Sequence, residues 1–350
     1  MSGQTAPVYR AAIIGLGFIG GGDQVSGDAL GQLVSDLDGT HAEALGRSPR
    51  VALVAGSSRD TGRRDRFHSR TGARVYADWR AMLEAEKPEL VSVATYAPQH
   101  AEMVIECARR GVRALFCEKP IATSPAEADA MLEACRAAGS LLAINHSRRY
   151  NPNYRRLRDL VAAGGLGDLT SAALRWGSGR LGNVGTHTMD ALVLLTGQRI
   201  AGVSGTLDLS RRPDCRGPQF QDPGGWGLLR LEGGLIATVD AADYGAGPLQ
   251  VVLHGTKGRA IAGGQGVTLD YWDGRREEWP EPPAGETSLD RAVQEIVAWL
   301  DGSAEFSPSD TAACNVLEAI AAFHLSHERD GRWVSLPLPE ADRGREVRTG

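Results

Sequence analysis

Three short stretches carry side chains whose types and spacing could do chemistry together. The first is Gly15-Leu16-Gly17-Phe18-Ile19-Gly20, a G-x-G-x-x-G that follows the apolar run Ala11–Ile14. Gly15 permits a tight turn, Gly17 lets a pyrophosphate approach the backbone, and Gly20 allows close helix–sheet packing. The helix start beyond them, with Phe18 and Ile19 in the turn, offers free N–H groups and a partial positive charge to phosphate. The second stretch is Cys117-Glu118-Lys119-Pro120, after the apolar run Ala114–Phe116. The carboxyl ends of parallel strands form ligand crevices, and a lysine there can reach a substrate carbon facing a nicotinamide. The third is Asn183-Val184-Gly185-Thr186-His187-Thr188-Met189-Asp190, in which His187 and Asp190 share a face if the segment is helical. Taken alone, the second reads as a solvated strand end and the third as a capped helix start with a hydrogen-bonded histidine.

A fourth feature bears on the cofactor. The run Val51–Ala55 continues into Gly56-Ser57-Ser58-Arg59, with Arg63 and Arg64 one turn on. An NAD site places a carboxylate at this point to accept from the ribose hydroxyls. A hydroxyl with guanidinium groups suits a 2′-phosphate instead, which a carboxylate would repel. NADP(H) is therefore favoured, while Asp60 keeps NAD(H) open; the arginines also read as a solvated helix start.

These residues need elements to position them. Short, continuously apolar runs at Ala11–Ile14, Val51–Ala55, Leu90–Ala94, Ala114–Cys117 and Leu141–Ile144 alternate with amphipathic stretches such as Pro98–Arg110 and Pro125–Ala138. That is the βαβ pattern of a buried, doubly wound parallel sheet. Ser124 with Glu127 makes a capping box before the second stretch. From Asn151 a helix over Pro152–Ala163 precedes longer runs with β alternation: Thr170–Trp176, Ala201–Leu209, Gly227–Leu231, Leu235–Asp240, Leu249–Leu253 and Val267–Tyr271. Helices over Ser288–Leu300 and Asp310–Glu328 and a tail strand at Trp333–Leu338 follow. The expected architecture is an α/β dinucleotide-binding domain over residues 1–150, then an α+β domain over 151–340 with a large, mostly antiparallel open sheet. Lys119 falls in the first and His187 in the second.

With 38 Lys+Arg against 43 Asp+Glu and no basic run, the chain has no electrostatic footprint for nucleic acid or a membrane surface. No apolar stretch approaches the ~18 residues of a transmembrane helix. The five cysteines, Cys107, Cys117, Cys135, Cys215 and Cys314, form no C-x-x-C pair, which suits a reducing compartment rather than a disulfide framework or zinc site. A cytoplasmic protein is expected. Ser–His–Asp nucleophilic chemistry is disfavoured, because no G-x-S-x-G elbow is present.

Together, Gly15–Gly20, the Thr95…His100 loop, Glu118-Lys119-Pro120, Arg149-Tyr150-Asn151-Pro152 and Gly185-x-His187-x-x-Asp190 resemble the Gfo/Idh/MocA oxidoreductases, which include inositol dehydrogenases and glucose–fructose oxidoreductase. The resemblance implies a Rossmann domain and a second domain whose outer sheet face makes homodimer or homotetramer contacts. It implies cofactor contacts from Gly15, Gly17, Phe18, Ile19, Gly20, Ser57, Ser58, Arg59, Arg63, Thr95, His100, Glu118 and Lys119. Lys119 would touch both nicotinamide ribose and the reacting hydroxyl, His187 would accept the proton, and Pro120 would hold its loop through a cis bond. Arg149, Tyr150, Trp176, Asn183 and Asp190 would line the substrate site, with Arg180 near its rim. The implied activity is hydride transfer to or from a secondary alcohol or ketone of a sugar, sugar derivative or cyclitol. Redox-neutral glycosidase-like chemistry on tightly held NAD, or a silent dinucleotide sensor, are the alternatives.

The chain departs from the family's pattern twice. Asn183 stands where many relatives carry an aspartate, and an amide cannot take a proton, so His187 is expected to be the sole base with Lys119 lowering the hydroxyl's pKa. A His-Ala pair expected directly after the third glycine appears only at His41-Ala42. An extra stretch from Gly21 to about Asp38, with Asp23, Asp28, Asp36 and Asp38, precedes it. Loops of this kind are lids, oligomer contacts or plain surface excursions.

Overall fold

The structure is a computed structural model and describes residues 7–25, 33–177, 179–210, 220–242, 248–264, 266–307 and 309–347. Cys215 and Asp28 lie outside them. The chain divides into two compact units. Met1–Glu118, Asp129–Asn145 and Gly285–Asp310 form one, and Lys119–Ala128, His146–Ala284 and Thr311–Gly350 the other.

The first unit is built on six strands: β1 (Tyr9–Ile14), β2 (Val51–Ser57), β3 (Arg74–Tyr76), β4 (Leu90–Val93), β5 (Ala114–Cys117) and β6 (Leu141–Ile144). Their order is β3-β2-β1-β4-β5-β6, and every pairing is parallel. Strands β4 and β5 are buried along their whole length, which is why they read as predominantly apolar runs. Sequence order reverses between β1 and β4, the switch point where such sheets open a crevice at the strand ends. Helices α1 (Phe18–Gly21), α2 (His41–Arg47), α3 (Thr61–Thr71), α4 (Trp79–Glu86) and α5 (His100–Arg109) alternate with the strands. Strand β3 and helix α4 were not read from the sequence. In α6 (Pro125–Ala138) the capping box forms, Glu127 N donating to Ser124 Oγ (3.3 Å) and Ser124 N to Glu127 Oε2 (3.2 Å).

In the second unit, helices α7 (Pro152–Ala162) and α8 (Thr186–Thr196) precede and interrupt a nine-stranded sheet. Its strands are β7 (Leu169–Arg175), β8 (Ile200–Asp208), β9 (Gly224–Leu231), β10 (Ile236–Ala241), β11 (Gln250–Gly255), β12 (Gly258–Gly263), β13 (Gly266–Tyr271), β14 (Arg276–Trp279) and β15 (Val334–Ser335). They run in the order β14-β13-β12-β11-β7-β10-β9-β8-β15, antiparallel except for β7 with β10. Gly234 (φ +85°) and Gly274 (φ +92°) turn the β9–β10 and β13–β14 hairpins, a conformation that L side chains rarely adopt. Strands β12 and β14 were not read from the sequence, and the expected tail strand shrinks to two residues. Helix α9 (Ser288–Leu300) falls in the first unit. Helix α10 (Asp310–Glu328), with α8, buries apolar residues such as Val316, Ile320, Phe323, Leu192 and Leu195 in one core. No described helix is long and apolar enough to cross a membrane.

Candidate active site

The glycine turn closes directly on the strands. Gly15 N donates to Ser57 O (3.0 Å) and Ala94 N to Ile14 O (2.8 Å). Gly15 has φ +99°, and a Cβ there would lie 2.3 Å from Ala94 O; one on Gly20 would lie 2.1 Å from Gly15 O. Only hydrogen fits at either place, so the backbone beyond β1 stays open for close approach by a phosphate group. The residues present therefore fit a dinucleotide at the switch point. Thr95 packs its methyl against Gly15, and fully buried His100 pairs through Nε2 with Thr95 O (3.0 Å). His100 thus bears on the turn through Thr95. Phe18 is buried, and the helix it starts lasts a single turn before Gly22 (φ +69°) ends it, Gly22 N donating to Phe18 O (3.1 Å).

At the end of β2, Ser57 is buried and Ser58 Oγ accepts from Asp60 N (3.2 Å). Asp60 caps α3, its Oδ1 accepting from Arg63 N (2.7 Å), so this carboxylate already has a structural employment. The cations expected to serve a 2′-phosphate divide. Arg64 is turned onto the carbonyls of Ser58 (2.7 Å) and Arg59 (2.9 Å), and Arg63 Nε lies 3.6 Å from Asp23 Oδ2. Arg59 is exposed, and its guanidinium has no hydrogen-bonding or ionic partner among the described residues.

Glu118, at the end of β5, is buried in a polar network. Its Oε1 accepts from Asn145 Nδ2 (2.6 Å) and pairs with His41 Nε2 (3.0 Å), while His41 Nδ1 pairs with Ser92 Oγ (3.0 Å). His41 opens α2, so the pair displaced along the sequence by the extra stretch reaches the strand ends nonetheless. Ser92 and Asn145 were missed. Their signals were a hydroxyl inside the apolar strand β4 and an amide directly after β6.

The remaining candidates lie in the second unit. Lys119, assigned from sequence to the first domain, belongs with the segment Lys119–Ala128 here, where Thr123 O accepts from Val347 N (2.7 Å). The Lys119–Pro120 peptide is cis. Lys119 Nζ donates to the backbone carbonyl of Asn183 (3.2 Å). Asn183 sits in a π-helical turn, Leu181–Gly185, entered through Arg180 with φ +58° and leading directly into α8. Single π-turns concentrate at functional sites. Buried Asp222 fixes this one, accepting from Gly182 N (2.7 Å) and Asn183 N (2.8 Å); sequence reading passed over it. Asn183 therefore contributes a main-chain oxygen, whatever its side chain can or cannot do.

His187 stands in the first turn of α8 and keeps some accessible surface, but its Nδ1 is enclosed and has no hydrogen-bond partner among the described residues. Burial holds its pKa well below the ordinary 6.5, and the charge of Lys119 pushes in the same direction, as do Arg148 and His146. The imidazole is neutral at neutral pH, ready to accept a proton.

Four residues expected to line the substrate site are interior instead: Arg149, Tyr150, Trp176 and Asp190 expose 7, 2, 2 and 0% of their surface. Arg149 Nε donates to both carboxylate oxygens of Asp190 (2.9 and 2.8 Å), and its Nη2 stands 2.8 Å from Asp190 Oδ1. Trp176 donates to Gly179 O (2.7 Å) and packs on Gly185. His146, missed from sequence, lies between Asp190 and His187. Its Nε2 pairs with Thr186 Oγ1 (3.0 Å), its Nδ1 lies 3.4 Å from Asp190 Oδ1, and its ring meets His187 edge to face at 5.8 Å. In the 3-10 turn Ser147–Tyr150 successive side chains diverge, and Arg148, not Arg149, is the cation that acts on His187.

Two family models match the chain: an oxidoreductase family NAD-binding Rossmann fold over residues 9–146 and a GFO/IDH/MocA C-terminal domain over residues 154–261. The chain belongs to the GFO/IDH/MocA oxidoreductase family. An inositol 2-dehydrogenase of Rubrobacter xylanophilus is 35% identical over 37% of this chain and 38% of its own length. A D-glucoside 3-dehydrogenase of Escherichia coli is 33% identical over 36% and 40%. The chain thus spans about two fifths of these curated relatives. An oxidoreductase domain protein of Kribbella flavida has the same fold, with a TM-score of 0.79 at 22% identity over 95% of this chain and all of that one. Four described cysteines are outside any disulfide, and the described residues hold no cluster of metal-ligating side chains.

Proposed function

We propose that this chain is an NAD(P)-dependent oxidoreductase acting on a secondary alcohol or ketone of a sugar, sugar derivative or cyclitol. The observation that carries the proposal is the pairing of Lys119 with a neutral, half-buried His187 around the π-turn carbonyl of Asn183. Gly15, Gly17, Gly20, Thr95 and Glu118 would hold the dinucleotide, with Phe18, Ile19, Ser57 and His100 shaping its bed. When bound, the nicotinamide supplies or takes the hydride. Lys119 places positive charge where an alkoxide develops, help worth several kcal/mol when preorganised. His187 accepts the hydroxyl proton in oxidation and returns it in reduction. Asp190, Arg149 and His146 orient His187 from below. The relatives act, by their names, on inositol and a D-glucoside, which supports a polyol substrate.

Ser58 with exposed Arg59 supports NADP(H) as the favoured cofactor, since the nearby carboxylate, Asp60, is engaged as a helix cap. Exposed Trp226 and Leu228, two apart on β9, and exposed Trp333 next to β15 support a homodimer or homotetramer formed on the open sheet. A panel of sugars and polyols assayed with both cofactors by nicotinamide absorbance tests the main proposal. Turnover with at least one polyol is expected; none, with cofactor bound, refutes it. Arg59→Ala should weaken NADPH about tenfold relative to NADH, and an unchanged ratio removes Arg59 from the cofactor site.

A further inference from the structure

Asp23 comes from the extra stretch that follows the glycine turn, yet it is only 2% exposed. Its amide donates to Gly17 O (3.3 Å), which fixes it to the phosphate turn. Its carboxylate is gripped by Arg66, with Nε on Oδ1 and Nη2 on Oδ2, both at 2.8 Å, and Arg63 Nε stands 3.6 Å from Oδ2. Arg63 and Arg66 occupy the opening turns of α3, just past Ser58 and Arg59. The carboxylate thus bridges from the glycine turn to the helix after β2. In this fold that is the neighbourhood of the adenosine ribose.

A guanidinium fork binds a carboxylate in the same bidentate manner as a phosphate, so Arg66 is occupied by the group with which a 2′-phosphate would compete. The carboxylate's own charge also repels a phosphate dianion. We infer that Asp23 is a cofactor-specificity residue: by neutralising Arg63 and Arg66 it holds down affinity for the 2′-phosphate, leaving that recognition to Arg59. The inference rests on the dinucleotide reading above. It also gives the extra stretch a function: it supplies an acidic group from outside β2, where an NAD site usually carries it.

Titration of the intact protein with NADPH and with NADH, followed by nicotinamide fluorescence, tests this without a substrate. Asp23→Asn should tighten NADPH about tenfold relative to NADH, equivalent to 1.4 kcal/mol. Arg66→Gln leaves the carboxylate less compensated and should shift the ratio the opposite way, several-fold. That variant carries the test if Asp23→Asn does not fold. An unchanged ratio in the folded variants, or a shift of Asp23→Asn towards NADH, overturns the inference. Arg59→Ala reports separately on the 2′-phosphate contact, so a null result there with a response to Asp23→Asn refutes the Arg59 contact alone.

Discussion

Lys119→Met removes a charge that acts in two ways, and the two have different signatures. Wild-type Nζ is anchored by the Asn183 carbonyl at 3.2 Å, held by a π-turn whose amides are clamped by Asp222. A donor so fixed needs no reorganisation as an alkoxide forms. Loss of one such preorganised donor costs about 2.7–4 kcal/mol, or 10²–10³ in kcat. The second effect is on His187. Burial is the main reason its pKa is low, and the Lys119 charge is next. Removing that charge lets the pKa rise towards 6.5 without reaching it, so the acid limb of the rate profile moves to higher pH. Single-turnover hydride transfer measured across pH, with a polyol that supports turnover, reads both effects. Far-UV circular dichroism and the urea unfolding midpoint serve as the control for folding. Lys119→Arg should keep the acid limb low while restoring only part of the rate, because a planar guanidinium does not occupy the position of a compact ammonium. A Lys119→Met protein with wild-type kcat and an unmoved acid limb would refute the reasoning.

Two further outcomes are expected. Asp222→Asn replaces a carboxylate accepting two main-chain N–H groups with an amide that can serve one well. It should cost about 2 kcal/mol in urea unfolding and also lower kcat, because the carbonyl anchoring Lys119 loosens; a stability loss at full kcat would detach Asp222 from the site. Half-buried His324 has its pKa lowered to about 4, by burial first and then by the charge of Arg345. Its folded pKa lies below the unfolded one, so its contribution is intact above the unfolded value and lost as pH falls from about 6.5 towards 4. At about 1.4 kcal/mol per pH unit the loss reaches at most about 3.5 kcal/mol, an upper bound because the ring keeps some exposure. His324→Gln should flatten that part of the stability profile, and parallel wild-type and variant curves would exclude His324 as its source.

The sequence was most legible where local and global signals agree. Gly15 and Gly20 could be assigned because a turn pressed against Ala94 and its own carbonyl admits no side chain, and that requirement is local. The apolar runs of β1, β2, β4, β5 and β6 were readable because both faces of a parallel sheet are covered. Strands β3, β12 and β14 escaped for the opposite reason: they carry charged or small residues, and pairing with neighbours rather than their own pattern makes them strands.

Chain order by itself determined that a dinucleotide turn, a Lys-Pro strand end and a histidine-bearing helix start would exist, since spacing and residue type suffice for each. Which side chains meet was decided only by tertiary structure. Arg149 and Arg148 are adjacent and chemically identical, yet one is consumed by Asp190 and the other acts on His187. Likewise Arg63 reads as a cation for a 2′-phosphate until Asp23, forty residues earlier, is seen beside it. Electrostatic partners are chosen by distance in space, and a one-dimensional string does not contain those distances.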